Sequence, residues 1–165
     1  VQSVISNWIN KNKNYNAKSW EVDVLSKRII AWISYSKITY ENSDREYKII
    51  FNSLIKKQIN HLINEIERSK SIDNKMISCS AIILAGLSYQ EKGKYLDFGL
   101  RLLKNIVKSS FDSEIFPKSR NVRQLNFYLK YFILIREWLR ESQNEIPSYI
   151  DETIYHLGQA YSLTW

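Results

Sequence analysis

Apolar positions recur along nearly the whole chain at helical spacing, without the strict alternation of half-buried strands. Val22, Leu25, Ile29, Trp32 and Ile33 make one stripe, and Tyr47, Ile50, Phe51, Leu54, Ile55, Ile59, Leu62, Ile63 and Ile66 a longer one. Ser43, with Glu46 three residues on, reads as the capping box that starts the longer helix. From Met76 to Leu87 the chain is apolar almost all round, which predicts a helix buried on most sides. Gly93 separates it from a helix carrying Tyr95, Phe98, Leu102 and Ile106. After a break from Phe111 to Lys118 containing Pro117, Ser119 reads as the N-cap of a helix through Leu125, Phe132, Trp138 and Leu139. Pro147, suited to a first helical turn, opens a last helix with Ile150, Ile154, Leu157 and Tyr161. With the opening stretch this makes about seven helices and no strand. Short connections predict antiparallel hairpins, and no fixed-period repeat or linker divides the chain. The expectation is a single all-α domain over residues 1–165.

Composition agrees. Hydrophobic residues make up 44% of the 165, enough for a core, while 4 glycines and 2 prolines are too few for disorder or a loop-rich β architecture. A lone Cys79 rules out an internal disulfide and reads as a small core residue. No apolar run is long enough to cross a bilayer, and no charged segment followed by an apolar core opens the chain, so no signal peptide is read there. The net charge is +7, and its location changes the picture. Residues 1–20 hold three lysines and no acid, and residues 104–136 hold seven Lys/Arg against two acids. If the two segments meet in space they form a cationic patch that concentrates a polyanion.

Chemical motifs are scarce. The chain has no Walker loop, no dinucleotide glycine pattern, no His-Glu-x-x-His and no Cys-x-x-Cys. His61, in the long amphipathic stripe, reads as a packed or surface residue, and His156 as an edge residue of the last helix. Glu65 and Glu67, two apart on a helix, do not face each other and make no carboxylate pair. No metal or cofactor site is expected. A basic helical nucleic-acid binder is disfavoured because no recognised motif is present.

The aromatic residues are more specific. Trp8, Trp20 and Trp32 fall at twelve-residue steps beside cationic residues, reading either as core pillars or as a floor for flat rings. The run Asn7-Trp8-Ile9, Trp20-Glu21, Ser26-Lys27-Arg28-Ile29-Ile30-Ala31-Trp32-Ile33 resembles the entry to the helical domain of heparinase II/III-like polysaccharide lyases. Glu114, followed by Ser119-Arg120-Asn121 and a helix with Arg136, is similar to the acid-containing loop of that family; Ile115 and Phe116 stand where it usually has glycines. Asp73-Asn74-Lys75 opens the buried helix where family members with lyase activity place Asn-His, so Lys75 replaces the histidine.

The resemblance implies the front part of an (α/α) toroid of stacked hairpins, with a C-terminal β-rich domain of the same protein lying outside this chain. It implies an acidic, uronic-acid-containing polysaccharide as partner and β-elimination as the reaction. Asn74 would neutralise the uronate carboxylate, and Arg28 and Arg120 would offer bidentate carboxylate contacts. Trp8, Trp20, Trp32, Glu114 and Asn121 would complete the substrate contacts, and a periplasmic or cytoplasmic address would follow. Because Lys75 stands in the histidine's place, the isolated chain is expected to bind without cleaving. The rival reading from the residues is a non-catalytic helical interaction module.

Overall fold

The computed structural model describes residues 1–89 and 93–164. It is all-helical: α1 (Gln2–Asn12), α2 (Val22–Ser34), a single π-helical turn (Lys37–Glu41), α3 (Arg45–Ile66), α4 (Ile72–Ser88), α5 (Lys94–Ser110), α6 (Val122–Glu141) and α7 (Ser148–Ser162). Among the described residues the only β pairing is an isolated bridge between Phe111 and Pro117. The π turn is the one element the sequence pattern did not signal.

The predicted helices are present, with starts displaced where a better cap lies nearby. Asp44, not Ser43, caps α3, its Oδ1 accepting the Tyr47 N–H at 2.8 Å. Ser43 instead donates its hydroxyl to the Tyr40 carbonyl at the end of the π turn, which also accepts the Ser43 backbone N–H at 3.2 Å. Likewise Asn121, not Ser119, caps α6, accepting from the Arg123 N–H at 2.9 Å. Pro147 sits one residue before α7 as its N-cap rather than inside the first turn. Gly93 has φ +71°, the left-handed conformation that glycine adopts without strain, and it sets the start of α5.

Helix α4 is the centre of the molecule. It packs against α2, α3, α5 and α6, and every residue from Met76 to Ala85 is buried. The sequence predicted this from an apolar run with no polar face, although burial relaxes at Gly86 and Leu87. Two cores flank α4. Ile82 and Ala85 join Leu25, Ile29, Phe51, Ile55, Ile59 and Leu62 on one side. Met76, Cys79 and Ile83 join Leu103, Leu125, Phe132, Ile135, Leu139 and Leu157 on the other.

Contact between α4 and α5 is unusually close. A Cβ on Gly86 would stand 2.6 Å from the Leu96 backbone nitrogen, and one on Gly99 would stand 2.5 Å from Ile83 Cγ1. Two absent side chains therefore set the separation of this helix pair. The pairing of 86 with 96 and 83 with 99 makes the pair antiparallel.

Helices α2, α4 and α6 run in one direction. Ser26 Oγ, early in α2, lies 3.2 Å from Ser78 Oγ, early in α4. At the start of α6, Gln124 Nε2 donates to Asp73 Oδ1 at the start of α4, at 2.8 Å. Beside this row stand α3, α5 and α7, linked by Tyr95 Oη to Asn60 Oδ1 (3.2 Å) and by Tyr149 Oη to the Leu100 carbonyl (3.0 Å). The first turns of α2, α4 and α6 therefore share one end of the molecule.

Candidate functional site

Three connections meet at that end: residues 13–21 before α2, 67–71 before α4 and 111–121 before α6. With the flanking turns, the segments 11–27, 67–75 and 111–123 carry ten lysines and arginines against six acids. At the opposite end, segments 34–48, 86–89, 93–97 and 138–151 carry five against seven. The two basic segments noted in the sequence thus reach a common end through the loops around Trp20 and Arg120. The N-termini of α2, α4 and α6 and the C-termini of α1, α3 and α5 meet there, so helix-end partial charges largely offset and the excess is that of the side chains.

Loop 111–121 is a built structure. Phe111 anchors it, 3% exposed and 4.9 Å from the Tyr128 ring. Asp112 Oδ1 accepts the N–H groups of Glu114 and Phe116, each at 3.0 Å. Its Oδ2 pairs with Arg120 Nη2 at 2.7 Å. The Phe116 N–H most of all holds the Asp112 carboxyl below its usual range; burial opposes it, and the Glu114 N–H with the charges of Arg120 and Lys118 adds to the lowering. Arg120 also lies over the Phe116 ring at 4.8 Å. Ile115 has φ +57° and Arg120 φ +54°, so one of the two positions where the resemblance expects glycine does adopt the conformation that favours glycine.

The first turn of α4 touches this loop. Ser71 caps it, accepting the Asn74 N–H at 3.2 Å, and Asn74 and Lys75 are half-buried. Gln124 joins Asp73 to Ser119, with which it shares a short hydrogen bond. The 73–75 and 119–121 segments, singled out separately in the sequence, are therefore neighbours. Gln124 is the link that sequence reasoning missed, since it belongs to no motif and its pairing spans 51 residues. Glu114, Arg120, Asn121 and Arg123 are exposed here, and Asn121 serves as the α6 cap.

Trp20 lies in the connection at this end but is buried, and Trp8, Trp32 and Arg28 sit elsewhere. Trp20 is 3% exposed; its indole Nε1 donates to the Asn12 carbonyl at 3.0 Å, and its ring meets His61 edge-on at 5.3 Å. No face is left for a ligand, so Trp20 is the pillar and not the platform of the two readings. His61 is packed between Trp20 and Tyr15, as its bland reading had it. Trp8 and Trp32 are half-buried and meet edge-to-face at 5.4 Å.

Arg28 does not reach the basic end. Its guanidinium lies 4.1 Å from the Trp8 ring centre and 5.9 Å from that of Trp32, and its Nε donates to Gln58 Oε1 at 3.3 Å. Arg28 Nη2 and Gln58 Nε2 are buried without a partner among the described residues. Burial lowers the Arg28 pKa to about 10. This is an interior cation held by aromatic faces, a geometry unlike the bidentate carboxylate clamp expected from the resemblance.

Among the described residues no cluster of His, Cys, Asp and Glu is placed to hold a metal, and no helix is long and apolar enough to cross a membrane. Comparison with known proteins finds no matching family model, no matching curated protein and no matching solved structure.

Proposed function

We propose that the end carrying the first turns of α2, α4 and α6 binds an acidic polymer, and that the polymer is a uronic-acid-containing polysaccharide. One observation carries the reading: Lys75, Arg120 and Arg123 lie at the end where cations outnumber acids, while acids outnumber cations at the other end. A repeating carboxylate suits this surface because exposed charges spread over three connections engage successive anionic units better than one compact ligand. The heparinase-like resemblance supports the same partner class and adds β-elimination, with Asn74 at the uronate carboxylate, as the activity of a longer protein. The same row of hairpins is compatible with an arc of an (α/α) toroid.

The test is binding of the chain to polygalacturonate, alginate and heparin at low and moderate salt, beside a neutral dextran and a single-stranded oligonucleotide. Binding should weaken with salt, because exposed charges are screened over about 8–10 Å. Arg123→Glu and Lys75→Glu should each weaken it more than Lys94→Glu at the far end. Equal effects of all three variants would defeat the reading, and preference for the oligonucleotide would replace the polysaccharide with a nucleic acid.

A further inference from the structure

A cavity of about 330 Å³ opens at the opposite end, where α2 and α4 finish and α3 begins, lined by Trp32, Tyr40, Glu41, Phe51, Asn52 and Tyr89. We propose that it is a binding site for one uncharged pyranose ring of a saccharide, with Trp32 and Tyr40 against the ring's apolar face and Asn52 among its hydroxyls. The site is separate from the basic end and does not depend on the polyanion reading.

Its floor and walls are rigid. Phe51, 2% exposed, lies 5.5 Å from the Trp32 ring and 5.4 Å from the Tyr40 ring. The π turn fixes Tyr40 and Glu41, and single π turns in proteins frequently accompany functional sites. Buried Thr39 within that turn donates to the Trp32 carbonyl at 2.7 Å, while Tyr47 Oη donates to the Thr39 carbonyl at 2.7 Å.

The polar groups form a directed chain. Tyr89 Oη donates to Asn52 Oδ1 at 2.9 Å, and Asn52 Nδ2 donates to Tyr40 Oη at 3.0 Å. Burial, and next the proximity of Tyr40, push the Tyr89 phenol upward, which keeps it the donor. The Asn52 amide is thereby oriented, with one N–H and one lone pair still to use, and Tyr40 keeps its own proton to donate. Ser88, at the rim, spends its proton on the Leu84 carbonyl at 2.9 Å and keeps its lone pairs. Donors and acceptors alternating over an aromatic floor suit hydroxyls, which both donate and accept.

Charge speaks against a cationic ligand. Lys48 Nζ lies 5.2 Å from the Tyr40 ring centre, and the Arg28 guanidinium 5.9 Å from that of Trp32, so a cationic ligand would meet two cations on the aromatic walls. Glu41 in the lining offsets one of these positive charges, and the chain of polar groups, which matches hydroxyls, favours an uncharged ligand over an anion. The volume falls at the small end of ligand sites, about 300–1,000 Å³, which fits one ring rather than several.

The experiment is a titration of the ¹⁵N-labelled chain with glucose, galactose, mannose and N-acetylglucosamine, following indole and side-chain amide resonances. At least one sugar should shift the Trp32 indole and the Asn52 amide saturably while leaving the Trp20 indole unmoved. Asn52→Ala and Tyr40→Phe should each weaken that binding about tenfold, and Arg123→Glu should not change it. Tyr40→Phe keeps the ring and decides the matter if Asn52→Ala does not fold. Absence of any shift at Trp32 up to about 100 mM sugar, or equal shifts there with galacturonate, would overturn the proposal while leaving polymer binding at the basic end to be judged by its own variants.

Discussion

The same substitution at two helical glycines should change stability in opposite directions. Alanine exceeds glycine in helix propensity by about 1 kcal/mol, and at Gly158 in α7 a new Cβ meets nothing within 4 Å. Gly158→Ala should therefore raise stability by up to about 1 kcal/mol. At Gly86 the new Cβ would stand 2.6 Å from Leu96 N, 3.0 Å from Leu96 Cα and 3.1 Å from Tyr95 C. All three are backbone atoms, so no rotamer change relieves the clash and α4 and α5 must move apart. Opening a gap of roughly 0.5–1 Å forfeits a quarter to a half of each dispersion contact across the seam. Overpacking of this kind costs about 1–3 kcal/mol, and its upper end applies because the obstacle is main chain. After the propensity gain, Gly86→Ala should lose about 2 kcal/mol net. For a chain of this size that lowers Tm by about 4–8 °C, against a rise of up to about 4 °C for Gly158→Ala. Urea unfolding with unchanged m-values would show that both changes act on the folded packing. A Gly86→Ala protein as stable as the parent would refute the close α4–α5 approach.

Two further outcomes follow from the backbone and the buried phenols. Gln143 ends α6 at φ +57°, with the Asn144 N–H returning to the Leu139 carbonyl at 2.9 Å; Gln143→Gly removes the left-handed penalty and should add about 1 kcal/mol in urea unfolding. Burial raises the pKa of Tyr47, Tyr89, Tyr131, Tyr149, Cys79 and Tyr128, the last to about 12. These groups keep their protons longer folded than unfolded, so their contribution is whole below about pH 9 and is lost as pH rises through the folded values. Arg28, lowered to about 10, works the other way by shedding its buried charge, but it is one group against six. Melting temperature should therefore fall from about pH 9 upward, with phenolate absorbance of the buried tyrosines appearing only as the chain unfolds; a flat profile to pH 11 would contradict their burial.

Local patterns carried most of the fold into the sequence. Burial of α4 was legible because ten successive residues lack a polar face, and the helix count because each stripe keeps helical phase. Cap positions were less so, since Ser43 and Asp44 are both good caps and Ser43 turns its hydroxyl back to the Tyr40 carbonyl of a π turn the pattern did not show. The π turn was not legible, because the side-chain contacts of Thr39 and Tyr47 hold it and neither makes a periodic signal. At the basic end, the charged loops were visible, but their adjacency depends on Gln124 meeting Asp73 across 51 residues. Trp20 and Arg28 show the limit from the other side. A tryptophan beside lysines reads alike as pillar or platform until its burial is known, and an arginine in a helical stripe turns inward only when aromatic rings receive it.

The location of the basic end follows from the order of the chain. Helices joined by reversals alternate in direction, so α2, α4 and α6 begin where α1, α3 and α5 end; the opposite partial charges of these helix ends largely offset one another, and the positive excess comes from the lysines and arginines of the connections. Helix α4, surrounded by four others, exposes no polar side chain along its buried middle. It presents Asp73, Asn74 and Lys75 only in its first turn, before the burial of Met76. A site that uses the central helix has to be at one of its ends. At the far end, α4 runs out at Tyr89 beside an aromatic wall, at an end where acids outnumber cations. Two ends of one helix thus meet solvent in different chemical company, and the ligands proposed for them differ in charge for that reason.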